Sequence, residues 1–151
     1  AEPNAAELQI WNGIILSTYA GSKGGLGALG LVKEAKASLE QGLALDPKAL
    51  SGSAYTSLGS LYYQVPGWPV GFGDDEKAEA MLKQALAINP DGIDPNYFYA
   101  DYLTRAKRYA EAKVALEKAL QAPARPNRLS ADAGRKAEIQ ALLAKVNAEL
   151  E

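Results

Sequence analysis

Tyr55-Thr-Ser-Leu58-Gly59-Ser-Leu-Tyr62, followed by Ala78-Glu-Ala-Met-Leu82-Lys-Gln-Ala85-Leu-Ala-Ile-Asn-Pro90, is the stretch that decides the fold. In each half, large apolar and small residues recur three and four apart, the spacing of a helix with one buried face. Parts of the stretch recur: Ala35, Leu39 and Pro47 stand 43 residues before Ala78, Leu82 and Pro90, and Ala112, Leu116 and Ala119 stand 34 residues after Ala78, Leu82 and Ala85. Self-similarity at such periods marks a chain built from stacked helical units. The copies fall at about 8–49, 52–92 and 93–126.

The pattern resembles the tetratricopeptide repeat (TPR), a helix-turn-helix unit of about 34 residues, with Tyr55 where the family usually has Trp. The third copy keeps Tyr99, Ala100 and Leu103 on its first helix. The first copy has Trp11, Ile14 and Ile15, then Ala35, Leu39, Gly42 and Pro47, with Ile15 and Thr18 standing where the family has a small residue and Tyr. Small residues at Gly59, Ala78, Ala85, Ala100, Ala112 and Ala119 let paired helices approach closely. The last copy then needs a lid with a polar outer side. Residues 130–150 supply it, with Ser130 as N-cap, an apolar face of Ile139, Leu142, Leu143, Val146 and Leu150, and Arg135, Lys136, Glu138 and Lys145 toward solvent. The expectation is an all-α fold: one domain over 1–151, an α-solenoid of three TPR-like helix pairs and a C-terminal capping helix. Its helices are placed near 5–20, 28–46, 51–65, 75–89, 95–106, 109–122 and 130–150, and residues 122–128 are the candidate linker.

Composition agrees and excludes several function classes. A chain of 151 residues, 48% hydrophobic and 23% charged, can bury a full core. It has no His and no Cys, which removes Ser-His triads, thiol chemistry and the usual zinc sites. No perturbed carboxylate, Lys or Tyr is singled out by spacing, so no catalytic residue, cofactor or metal is assigned. A net charge of -2 offers no footprint for nucleic acid, and no apolar run is long enough for membrane insertion. The opening Ala-Glu-Pro-Asn reads as a mature product cut behind a small residue, which predicts a periplasmic location, with a cytoplasmic one as the alternative. Charge is uneven, residues 1–104 carrying 6 basic and 12 acidic groups and 105–151 carrying 10 and 6. The basic groups Arg105, Lys107, Arg108, Arg125 and Arg128 are read as solvated or sited at helix ends.

The first two copies exceed the repeat length, and both surpluses fall between paired helices, predicting two enlarged loops. Residues 20–30 hold five glycines. Gly25-Leu-Gly-Ala-Leu-Gly30 spells a dinucleotide fingerprint, yet its flanks are helical where that site needs strands. Residues 64–73 set Trp68 and Phe72 among prolines and glycines, and two readings stand: the rings seal the core, or they contact a ligand or partner. Asp74 and Asp94 each precede a helical run and read as N-caps, with Pro95 in the first turn of the fifth helix.

What the resemblance implies about function centres on the first helices of the pairs, which line the concave face of TPR proteins. In this register the face holds Gln9, Asn12, Leu16 and Tyr19, then Ser53, Thr56, Ser57, Ser60 and Tyr63, then Asp94, Tyr97, Phe98 and Asp101. The TPR subclass that grips a chaperone's C-terminal carboxylate is disfavoured, because Asn12, Leu16, Ser57, Asp94 and Phe98 stand where it uses Lys, Asn and Arg. Val65-Pro66 and Gly73-Asp74-Asp75-Glu76-Lys77-Ala78 resemble the exported TPR component of TRAP-type transporters. The implied function is a non-enzymatic scaffold for a peptide or protein partner, with Asn12, Tyr19, Ser57, Tyr63, Trp68, Phe72, Tyr97, Phe98 and Asp101 as binding residues. The alternative is a small-ligand-binding accessory component of a periplasmic transport system. Ile10, Ile14 and Leu16 predict an apolar patch at the first pair, open to a partner or to a second copy in a homo-oligomer.

Overall fold

The computed structural model describes residues 5–151, apart from the side chains of 25 and 26. The opening Ala-Glu-Pro-Asn, on which the export expectation rests, lies outside the described residues. Seven α-helices follow one another: α1 (Ala5–Lys23), α2 (Gly25–Leu45), α3 (Ser53–Gln64), α4 (Asp75–Ile88), α5 (Ile93–Arg105), α6 (Tyr109–Leu120) and α7 (Leu129–Leu150), with a short 3-10 turn at Ala49–Gly52. No strand occurs among the described residues, so the fold is the all-α helical repeat expected from the sequence. Two compact units are formed, one ending at Ile88 and the other Asn89–Glu151. The first contains the pairs α1/α2 and α3/α4, and the second contains the pair α5/α6 with α7 packed on both of its helices.

The paired helices of the first two repeats come together through the missing side chains of three glycines. A Cβ on Gly59 would sit 2.7 Å from Leu82 Cγ and 3.2 Å from the Ala78 carbonyl oxygen, so α3 and α4 cross at backbone contact. In the first pair the same neighbours surround Gly13, whose Cβ would lie 2.5 Å from Leu39 Cγ and 3.1 Å from the Ala35 oxygen. The small residue of copy one is therefore Gly13, not Ile15, and the expected register on α1 is two residues out. Gly42 is the reciprocal contact, its place for a Cβ being 2.7 Å from Ile10 Cγ1. Ala100, Ala112, Leu116 and Ala119 fill the corresponding places of the third pair and are fully buried.

Residues 20–30 are not an enlarged loop. α1 runs through Lys23, α2 starts at Gly25, and only Gly24 intervenes, at φ 65 and ψ 176, where a side chain would be strained. A Cβ added at Gly21 or Gly30 would meet nothing within 4 Å, so these glycines sit inside helices on an open surface. Asp74 caps α4 as expected, its Oδ1 accepting the Lys77 N–H at 3.1 Å. Asp94 does not cap α5, which begins at Ile93 after an extended Gly92; Pro95 still falls in the first turn and is buried. Ser130 likewise lies inside α7, whose N-cap position is Arg128. Of the expected apolar face of α7, Ile139 and Val146 are fully buried, Leu142 and Leu143 are half-buried, and Leu150 is exposed.

Candidate functional site

Residues 65–74 do form the second expected loop, and backbone hydrogen bonds fold it on itself. The Val70 and Gly71 N–H groups both donate to the Gly67 oxygen at 3.1 and 3.2 Å, Gly73 N–H donates to the Pro66 oxygen at 2.9 Å, and Asp74 N–H donates to the Tyr62 oxygen at 2.8 Å. An isolated bridge pairs Gly67 with Gly73, which closes the base. The two aromatic residues then part company. Phe72 turns inward, edge to face with Tyr62 at 5.6 Å between centroids and with the Lys36 ammonium 5.7 Å from its own ring centre. Trp68 turns outward and is 90% exposed, with Val70 exposed beside it in the same turn. Phe72, half-buried, packs on Tyr62, and the indole of Trp68 is left on the surface.

A second group of expected residues gathers in the other unit. Tyr97 and Phe98 on α5 meet at 5.2 Å, edge to face, and the Arg135 guanidinium of α7 lies 4.8 and 4.7 Å from their ring centres. Arg135 also donates to Asp94 through Nε at 2.9 Å and to Glu138. Burial first, then the negative charges of Asp101 and Glu138, push the Tyr97 phenol up to about 12, with Arg135 pulling the other way. Arg125 joins from the interhelical segment, bonding Asp132 through Nε at 2.6 Å and Asp94 through Nη1 at 3.3 Å. Burial works against its charge, but the Asp132 hydrogen bond and the Asp94 charge raise its pKa. Asp132, buried in the first turn of α7, is held below its ordinary value chiefly by the Arg125 backbone N–H at 3.0 Å and also by the Arg125 guanidinium. Arg135 and Arg125 are thus not solvent-facing cations, as their spacing suggests, but the ties that fasten α7 to the start of α5. Sequence gives no warning, since the partners lie 41 and 31 residues away.

The remaining expected residues are spread over both units. Asn12 is exposed on α1 and donates to Ser38 Oγ on α2 at 2.7 Å. Tyr19 is exposed, Ser57 and Tyr63 are half-buried on α3, and the Asp101 carboxylate meets Arg105 Nε at 3.3 Å. With Gly13 matched to Gly59 and Gly59 to Ala100, the α1 residue corresponding to Ser57 and Phe98 is Trp11. Ile10, expected in the apolar patch, is fully buried inside the pair, and Ile14 and Leu16 are half-buried. Among the described residues no group of three or more His, Cys, Asp or Glu could hold a metal ion, and no helix is long and apolar enough to cross a membrane.

Paired helices that cross on a glycine or alanine, repeated three times in one chain, define a helical repeat protein. Residues 71–131, from the end of the aromatic loop through α4, α5 and α6, match the family model described as Tetratricopeptide repeat. The match covers 61 of the 151 residues and supports a tetratricopeptide repeat protein. Repeats of this family generally mediate protein–protein interaction and are typically non-enzymatic. No curated protein matches the chain.

Proposed function

We propose that the protein is a non-enzymatic scaffold that binds a peptide or protein partner, with Trp68 as its principal anchor. The observation that carries this reading is the 90% exposure of an indole on a loop already held in place by its own backbone. Buried aromatic anchors carry most of the energy of such interfaces, and truncating one typically costs about 2 kcal/mol or more, roughly 30-fold in affinity. Because the loop is ordered before binding, little beyond the side chain needs to be immobilised. Ser57 and Tyr63 on α3 belong to the same unit and contribute polar contacts. Tyr97 and Phe98 serve chiefly to seat Arg135, and are secondary in this reading. A periplasmic location, and kinship with the exported component of TRAP-type transporters, belong to the same proposal; fractionation of the native host tests the first.

The experiment is a crosslinked pull-down from that host with the wild-type chain and with Trp68→Ala. Loss of the recovered partner with Trp68→Ala, at unchanged melting temperature, is expected. Equal recovery by both proteins overturns the assignment.

A further inference from the structure

Arg135 fills a seat whose parts are each held by something other than Arg135. Its guanidinium carbon lies 4.8 and 4.7 Å from the ring centres of Tyr97 and Phe98, and its Nε donates to Asp94 Oδ1 at 2.9 Å. The two rings support each other edge to face at 5.2 Å, and the Tyr97 hydroxyl donates to Glu138 Oε2 at 3.4 Å. The other oxygen of Asp94 accepts from Arg125 Nη1 at 3.3 Å, which aims the carboxylate independently of Arg135. The helix α7 has its own anchors: the Arg125 backbone N–H and Nε donate to the buried Asp132 at 3.0 and 2.6 Å, and Ile139 and Val146 are fully buried. Arg135 also has a second partner, its Nη1 donating to the two Glu138 oxygens at 3.3 and 3.2 Å on the same helix. The seat opens to solvent, the Arg135 and Asp94 side chains being 22 and 27% exposed. Seat, helix and displaced side chain would therefore all keep partners if another cation took this place.

We propose that the seat is a binding site for an arginine side chain of a peptide or protein partner, occupied in cis by Arg135 until the incoming arginine displaces it. Its chemistry selects this occupant. Ring faces within about 6 Å attract a cation. A guanidinium is flat, stacks on aromatic faces and meets a carboxylate along its edge, whereas a lysine ammonium is a compact charge that is more strongly hydrated. Asp101 and Glu138 add negative charge around Tyr97, which turns anions away. A site assembled beforehand needs little reordering on binding. Arg135 acts as a built-in competitor, lowering the apparent affinity by the fraction of time for which the seat is open. The site goes beyond the Trp68 anchor and does not depend on it.

The test is an NMR titration of the α5 amides with N-acetyl-arginine amide, which presents its side chain as a peptide does. Arg135→Ala is expected to bind this compound at least about tenfold more tightly than the wild-type chain, whose seat is filled. Arg135→Gln keeps a donor for Asp94 and is expected to show the same gain, so the test holds even if Arg135→Ala loosens α7. Adding Phe98→Leu to either variant is expected to abolish binding, and N-acetyl-lysine amide is expected to bind more weakly than the arginine compound. No gain over wild type in a folded Arg135→Ala or Arg135→Gln chain, binding that survives Phe98→Leu, or equal binding of the lysine compound overturns the proposal. Binding of free L-arginine but not of the blocked compound also overturns it, since the ligand would then be a metabolite. Trp68→Ala is expected to leave the titration unchanged, so this site and the Trp68 anchor fail or stand separately.

Discussion

Replacing Gly13 by Ala separates the two registers that can be drawn on α1, because they call for opposite signs. A glycine in the middle of a helix is worse than alanine by about 1 kcal/mol, so the substitution stabilises wherever there is room. At Gly13 there is none. The added methyl would lie 2.5 and 2.8 Å from Leu39 Cγ and Cδ2 and 3.1 Å from the Ala35 carbonyl oxygen. Leu39 is fully buried and the carbonyl belongs to α2, so neither can move aside without opening the crossing. Overpacking of this kind costs about 1–3 kcal/mol, which outweighs the propensity gain and leaves a net destabilisation of roughly 1 kcal/mol. Gly134 is the control: it lies inside α7, where an added Cβ would meet nothing within 4 Å, so Gly134→Ala is expected to stabilise by about 0.5–1 kcal/mol. Thermal melts followed by circular dichroism resolve the difference, since units of this size shift by roughly 4–8 °C per kcal/mol. A Gly13→Ala protein that melts at or above the wild type would refute the close crossing and return the small position to Ile15.

The loop makes a paired statement about stability. Phe72→Ala removes the edge contact with Tyr62 and is expected to cost about 1–3 kcal/mol, while Trp68→Ala changes stability by no more than about 0.5 kcal/mol; urea titrations compare them. Asn96 is buried and its Nδ2 donates to the Pro90 and Gly92 oxygens at 2.9 and 2.8 Å, so Asn96→Ala is expected to cost about 1–3 kcal/mol in the same assay. Asp132, whose folded pKa lies below the ordinary aspartate value of 3.8, contributes stability that is complete above that value and is lost as pH falls through the folded pKa. Acid titration of circular dichroism is expected to show wild type weakening below about pH 4, and Asp132→Asn, already weaker at pH 7, losing less on acidification.

Most of the fold was legible because it rests on short-range spacing. Ala78, Leu82 and Ala85 recur at a fixed interval as Ala112, Leu116 and Ala119, and a buried helix face cannot avoid that periodicity. The first pair was harder. Gly13 and Ile15 both sit in an apolar run, and only the crossing with Leu39 tells which faces inward. The glycines at 20–30 read as a loop because their helix-weakening effect is visible in sequence, while the length of the helices on both sides is set by packing between α1 and α2. Asp94 shows the limit most clearly. An acid before Pro is a sound cap signal, but two arginines 31 and 41 residues later compete for the same carboxylate and win it. At the candidate site, the loop was found from its composition, and the division between Phe72 inside and Trp68 outside needed the Tyr62 ring beneath it.

If a partner docks on Trp68, the fluorescence of that indole must report it. In a Trp11→Phe background Trp68 is the only indole, since the chain has two tryptophans. Free protein is expected to emit at the long wavelength of a solvated indole and to be quenched freely by acrylamide. On titration with the crosslink-recovered partner, the emission moves to shorter wavelength and quenching falls, both saturating with the binding curve. A partner that binds at full affinity while the emission and quenching of Trp68 stay at their free values would show that the indole is not the anchor.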